Sequence, residues 1–334
     1  QGLGQLDKAV KCYEQVLAIK PDFAEAFNNL GIVLKELGQL DAAIKCYEEI
    51  LNAFPHNVKA LNNLANVHMH IGQLDDAIKH YKQLLIVQPD SAEIYFNLGI
   101  IFNRQGLFNK AIQYFEQALK IKPDYAKAVN NLGNANKAIG LLDVAIKYYK
   151  RALEIKPGYV EAHNNLGNAL NDLVQPDAAI KSFEKALAIN PDYAEAHNNL
   201  GNTLTNLDQL DAALVSFERA LILNPELSFL LGQSLHTKMT LCLWDNLPND
   251  LNELTKKINN NEIVIAPFAM LALIDDPEIQ RKTAEIFTNE KYPKNHDLPE
   301  IGHYPKHKKI RIGYFSADFR VHPVSALTVE LYEI

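Results

Sequence analysis

The segment AEAFNNLGIVLKELGQLDAAIKCYEEILNAFPHN, residues 24–57, decides how the rest of the chain is read. Within it Phe27, Leu30, Gly31 and Leu34 recur at i, i+3, i+4 and i+7, the spacing of an amphipathic helix. Gly38 breaks that helix and admits a tight turn. Asp41 is placed to cap a second helix, whose packing stripe is Ala43, Tyr47 and Ile50. Pro55 stops the second helix, because the residue before a proline is pushed out of the α region. The segment therefore reads as two antiparallel helices. One such pair cannot bury its own apolar face, so it must be stacked on others.

The neighbouring sequence supplies them. Proline recurs every 34 residues, at Pro21, Pro55, Pro89, Pro123, Pro157, Pro191 and Pro225. The Asp41 position is held in the other units by Asp7, Asp75, Asn109, Asp143, Asp177 and Asp211, all good helix-capping residues. Leu-Gly in the first helix, then Ala, an aromatic and Pro, match the tetratricopeptide pattern. Six complete units run from Ala24 to Leu227, preceded by the second helix of another. The expected fold is an all-α tetratricopeptide-repeat superhelix, an α-α solenoid. His163 and His197 stand where the first helix usually carries an aromatic, and are expected to pack there. One His per repeat does not make a metal-ligand set.

The totals exclude several classes. The chain has 334 residues, 48% of them hydrophobic and 22% charged, with a net charge of −7. That balance gives no reason to expect nucleic acid or an anionic membrane as partner. The longest apolar stretch, Ile263 to Ile274, is interrupted by Pro267 and is too short to span a bilayer. Cys12 and Cys46 lie one period apart and read as a repeated small core residue; Cys242 has no evident partner. A reducing, cytoplasmic compartment is expected. The chain opens at Gln1 in mid-repeat, with Leu3-Gly4-Gln5-Leu6-Asp7 matching Leu37-Gly38-Gln39-Leu40-Asp41, as a fragment would.

One position is not explained by the core. Asn29, Asn63, Asn97, Asn131, Asn165 and Asn199 form an unbroken row, roughly 150° around the helix from the Leu30/Gly31 stripe. Their neighbours have diverged: the position seven later runs Glu36, His70, Arg104, Ala138, Asp172, Asn206. Asn is a mediocre helix former, so something else favours it there. Its carboxamide both donates and accepts, which suits an extended polypeptide backbone in the concave groove; local structural bonding is the other reading. Asn134, Asn168 and Asn202 extend the polar strip. If the row reads peptide backbone, replacing Asn97, Asn131 and Asn165 by Ala should cost binding and little stability.

After Pro225 the pattern degrades, with Gln233 in the ladder position and Ser234 in place of Leu. Residues 228–290 read as a degenerate capping repeat, ending near Leu243-Trp244, and linking helices at Asn249–Asn259, Pro267–Ile274 and Pro277–Asn289. Residues 291–308, rich in Pro, His and charge, read as a linker. Residues 309–334 open with an alternating stretch, Lys309 to Ser316, that suits the first strand of an α/β sheet. A helix is expected from Val324 onward. The basic run Lys306-His307-Lys308-Lys309 reads as a solvated approach to that strand.

The order of these parts is specific. Repeats, then Cys242-Leu243-Trp244, then Ile263 to Phe268, then Ile310-Arg311-Ile312-Gly313-Tyr314-Phe315-Ser316-Ala317-Asp318-Phe319-Arg320-Val321-His322-Pro323, resemble the protein O-GlcNAc transferase family, its bacterial branch above all. The resemblance implies a two-lobed (GT-B type) glycosyltransferase domain beginning at 309. It implies inverting, metal-independent transfer of N-acetylglucosamine from UDP-GlcNAc, the co-substrate, to Ser/Thr hydroxyls, with no resident cofactor. It also implies that the asparagine ladder lines the substrate-polypeptide groove and that His322 is a catalytic base or a substrate-positioning group. An imidazole of near-neutral pKa suits either role; a His packing at a strand-to-helix turn is the bland alternative. The family's donor-binding lobe has no counterpart in these residues, so the chain alone is expected to be inactive. A protein O-fucosyltransferase of the same architecture and a non-catalytic repeat scaffold are the competing functions.

Overall fold

A computed structural model describes residues 2–292, and all regular structure among them is helical. The first helices in chain order are α1 (Gly2–Ile19), α2 (Ala24–Glu36), α3 (Leu40–Ala53), α4 (Val58–His70), α5 (Leu74–Val87), α6 (Ala92–Arg104) and α7 (Phe108–Ile121). The series continues with α8 (Ala126–Ala138), α9 (Leu142–Ile155), α10 (Val160–Asp172), α11 (Pro176–Ile189), α12 (Ala194–Asn206) and α13 (Leu210–Leu223). Its last members are α14 (Leu230–Thr240), α15 (Leu247–Asn259), α16 (Pro267–Leu273) and α17 (Pro277–Lys291). The linker expected beyond residue 292, the strand and helix expected at 309–334, and His322 lie outside the described residues.

Each helix packs on the next, giving a stack of hairpins from α1 to α14. Successive first helices also touch one another (α2 with α4, α6 with α8, α8 with α10, α10 with α12), and no pair of successive second helices makes a comparable contact. First helices therefore line the inner side of the stack. No helix among the described residues is long and apolar enough to cross a membrane.

The core repeats with the sequence. Tyr47, Tyr81, Phe115, Tyr149, Phe183 and Phe217, one per second helix, are all fully buried. All but Tyr81 lie across the Gly of the preceding first helix: a Cβ on Gly31 would sit 2.6 Å from the Tyr47 ring, and one on Gly167 would sit 2.5 Å from Phe183. A Cβ at any of these five glycines would force the ring to shift, which is why Leu-Gly recurs. Ala65 takes that place opposite Tyr81, and is itself fully buried.

The hairpin turns obey the same period. Gly38 has φ 74°; its N–H donates to the Lys35 carbonyl at 3.0 Å, and the Gln39 N–H donates to that of Leu34 at 2.9 Å. This is the left-handed helix terminus that glycine favours. Three of the equivalent positions carry non-glycine residues in the same conformation: Val174 (φ 58°), Asp208 (φ 58°) and Cys242 (φ 57°).

The Asp41 series does not cap, contrary to the sequence expectation. The second helix begins two residues earlier than that cap would require, at Leu40, with Gln39 as cap residue and no side-chain cap bond, so Asp41 lies inside the first turn. Asp75, Asn109, Asp143, Asp177 and Asp211 sit likewise within α5, α7, α9, α11 and α13, and Asp7 lies inside α1. The left-handed turn already fixes how the chain enters the helix. A carboxylate in the first turn contributes through the helix dipole instead.

Beyond the regular array, α14 packs with α15, α16 and α17 around Leu235, Leu254, Ile258, Val264, Ile265 and Met270. Ile263 and Val264, in the segment before α16, accept hydrogen bonds from the Phe229 and Gly232 N–H groups, both at 2.9 Å. They thereby satisfy donors at the α14 N-terminus that have no partner within the helix.

Candidate functional site: the inner face of the first helices

The six asparagines of the row lie on α2, α4, α6, α8, α10 and α12, all half-buried on the inner side. The structure gives most of them a protein partner that periodicity alone did not reveal. Asn63 donates through Nδ2 to Oδ1 of Asn28 at 2.9 Å, Asn165 to Asn130 at 3.1 Å, and Asn199 to Asn164 at 2.9 Å. Each acceptor precedes the row residue of the previous repeat, so the bonds join adjacent first helices. The series breaks at Asn131, because Phe96 occupies the acceptor position; Asn131 donates instead to the Lys127 carbonyl at 2.9 Å. Asn97 lies against the Tyr81 hydroxyl. Asn29 makes no such bond in the described residues.

Part of the row is thus built into the stack. The Oδ1 atoms of Asn63, Asn131, Asn165 and Asn199 nevertheless accept no hydrogen bond from the described residues. At Asn63, Asn165 and Asn199 the amide protons hold neighbouring repeats together and leave the carbonyl oxygens uncommitted. This alters one expectation: replacing Asn165 strands the Asn130 oxygen, and Asn130 is only 4% exposed. Stability as well as binding is then affected.

Three residues further along each first helix runs a second row on the same face, and its state depends on the aromatic beneath it. Tyr81 donates its hydroxyl to Asn66 Oδ1 at 2.6 Å, and Tyr149 donates to Asn134 Oδ1 at 2.7 Å. Where the row has Ile32, the Tyr47 hydroxyl is buried without a partner among the described residues. Ile100 pairs with Phe115, which has no hydroxyl to satisfy. In the last two units Asn168 and Asn202 lie opposite Phe183 and Phe217, and both carboxamides remain without a partner among the described residues. Of the three asparagines expected to extend the polar strip, Asn134 is therefore engaged, while Asn168 and Asn202 are not. The signal was present in the sequence as the Tyr/Phe choice fifteen residues after each position.

The electrostatics of this face are mild. Lys137 on α8 and Asp172 on α10 form an ion pair at 2.9 Å, with both side chains partly exposed. His163 and His197 approach the carbonyls of Pro157 and Pro191 through Nε2, at 3.0 and 2.9 Å. Only a protonated Nε2 can donate to a carbonyl, so each ring ties a first helix to the turn before it. Burial holds the His163 pKa below its usual range, against the opposing pull of the bond to the Pro157 carbonyl. No group of three or more His, Cys, Asp or Glu side chains suited to a metal occurs among the described residues. Cys12, Cys46 and Cys242 are free thiols.

Comparison with known proteins agrees with this architecture. Family models described as tetratricopeptide repeat match residues 57–124, and also 24–57, 160–193 and 194–227. A further one, described as TPR repeat, matches 3–38 and 137–173. No curated protein matches the chain. Among solved structures, a tetratricopeptide repeat protein from Parabacteroides merdae ATCC 43184 is 19% identical, covering 66% of this chain and 88% of its own, with a TM-score of 0.57. A chain of the APC/C hetero-tetramer Cut9-Hcn1 is 18% identical, covering 70% of this chain and 46% of its own, with a TM-score of 0.58. MamA is 32% identical, covering 50% of this chain and 97% of its own, with a TM-score of 0.46. Helix pairs at a fixed period, glycine under an aromatic in nearly every pair, and model matches across 3–124 and 137–227 agree: the chain belongs to the tetratricopeptide-repeat family.

Proposed function

We propose that the inner face of the array binds polypeptide in extended form, and that this grip serves a protein O-GlcNAc transferase as its substrate-holding arm. The observation behind the first part is the row of uncommitted carboxamide oxygens on successive first helices. They match the spaced N–H donors of a polypeptide backbone and carry no charge that would select particular side chains. Each contact contributes on the order of 1 kcal/mol net, so affinity comes from several repeats acting together. The second part rests on the resemblance of Ile310 to Pro323, with His322 as base or positioning group and UDP-GlcNAc as co-substrate.

Two measurements test the two parts separately. Fluorescence anisotropy with an unstructured Ser/Thr/Gly polypeptide should give saturable binding, weakened by Asn131→Ala, whose carboxamide joins no neighbouring repeat. Wild-type affinity in that variant would count against the row. Transfer of radiolabel from UDP-GlcNAc to the same polypeptide by the full-length gene product should be lost in His322→Ala. Binding without any transfer would leave a protein-interaction scaffold.

A further inference from the structure

We infer that Asn168 and Asn202 are backbone-clamping positions of the groove, each holding one residue of an extended polypeptide by a two-point bond. This rests on the groove-binding reading above and assigns where in the groove the grip lies. A two-point bond needs a carboxamide free to turn, so that Nδ2–H meets the ligand carbonyl and Oδ1 meets the ligand N–H of the same residue. The planes of Asn165 and Asn199 are already set by their bonds to Asn130 and Asn164. Those of Asn66 and Asn134 are set by the Tyr81 and Tyr149 hydroxyls. Ile32 and Ile100 offer no polar group. Asn168 and Asn202 alone in their row combine a carboxamide, a half-buried place on the inner face and no protein partner among the described residues. They sit on α10 and α12, which touch each other, so one extended ligand can engage both.

The buried aromatic is the control element. A tyrosine beneath the row occupies its asparagine, and a phenylalanine releases it. The double variant Phe183→Tyr/Phe217→Tyr should therefore place a hydroxyl under Asn168 and Asn202, as Tyr149 does under Asn134. The binding face itself is left unedited. Anisotropy with a fluorescein-labelled, unstructured Ser/Thr/Gly polypeptide long enough to cross several repeats should show roughly 30-fold weaker binding, for two lost contacts. Tyr149→Phe frees Asn134 and should tighten binding by roughly fivefold. A backbone N-methylated version of the polypeptide should bind the wild-type chain weakly and be insensitive to either change. Thermal melts identify a variant that has not folded; Asn168→Ala/Asn202→Ala, altered only at the half-buried face, then replaces it. Wild-type affinity in a folded variant overturns the assignment while leaving the groove reading intact. No binding of either polypeptide by the wild-type chain overturns both.

Discussion

Tyr47 buries its hydroxyl against a first helix that has Ile32 where Asn66 and Asn134 stand in other units, and the hydroxyl has no partner among the described residues. A buried polar group left unpaired costs roughly 1–3 kcal/mol, so Tyr47→Phe should raise stability by about 1 kcal/mol or more in urea melts. The same change at Tyr149 removes a bond of 2.7 Å and should lower stability slightly. Equal effects at the two positions would contradict the pairing. Val174 offers a second test: a β-branched residue at φ 58° is strained, and its side chain is 85% exposed, so nothing is lost by removing it. Val174→Gly should stabilise by about 1 kcal/mol. An unchanged or lowered melting temperature would show the strain to be absent.

Between elements, the asparagine bonds act as register pins from one first helix to the next. Asn165→Ala leaves the buried Asn130 oxygen unpaired and should cost about 1–3 kcal/mol. Asn131→Ala removes only a bond within its own helix and should cost a few tenths. Calorimetry on the two variants separates them, and similar losses would remove the pin. The hairpins, their phase and their core aromatics were legible in the sequence, because a 34-residue period compares each residue with its equivalents. The candidate site was legible only in part. Periodicity shows which residues share a face, but the Asn28–Asn63 bond joins positions 35 residues apart, and its geometry depends on how closely two helices approach. The misplaced caps have a different cause. Asp41 has the right residue type, but the left-handed turn at Gly38 starts the helix before it.

At the scale of the whole stack, the buried tyrosines make stability depend on alkaline pH. Burial pushes Tyr47 up to about 12, with the neighbouring Cys46 adding to the shift, and pushes Tyr159 up to about 12 as well. It also raises Tyr81 and Tyr149. An unfolded chain releases these protons near pH ~10, while the folded chain keeps them. Stability is therefore whole below pH ~10 and falls as pH rises from there through the folded values, with all four tyrosines adding to the slope. Urea midpoints at neutral pH and near pH ~11 should differ clearly, and less so for Tyr47→Phe; coincident curves would mean that the hydroxyls reach solvent. The tyrosine and phenylalanine codons differ at a single base. A duplicated array of this kind can therefore open or close a docking point in one mutational step, inside the hydrophobic interior and without touching the surface on which partners are read. Selection can tune where such a molecule grips while each intermediate stays folded.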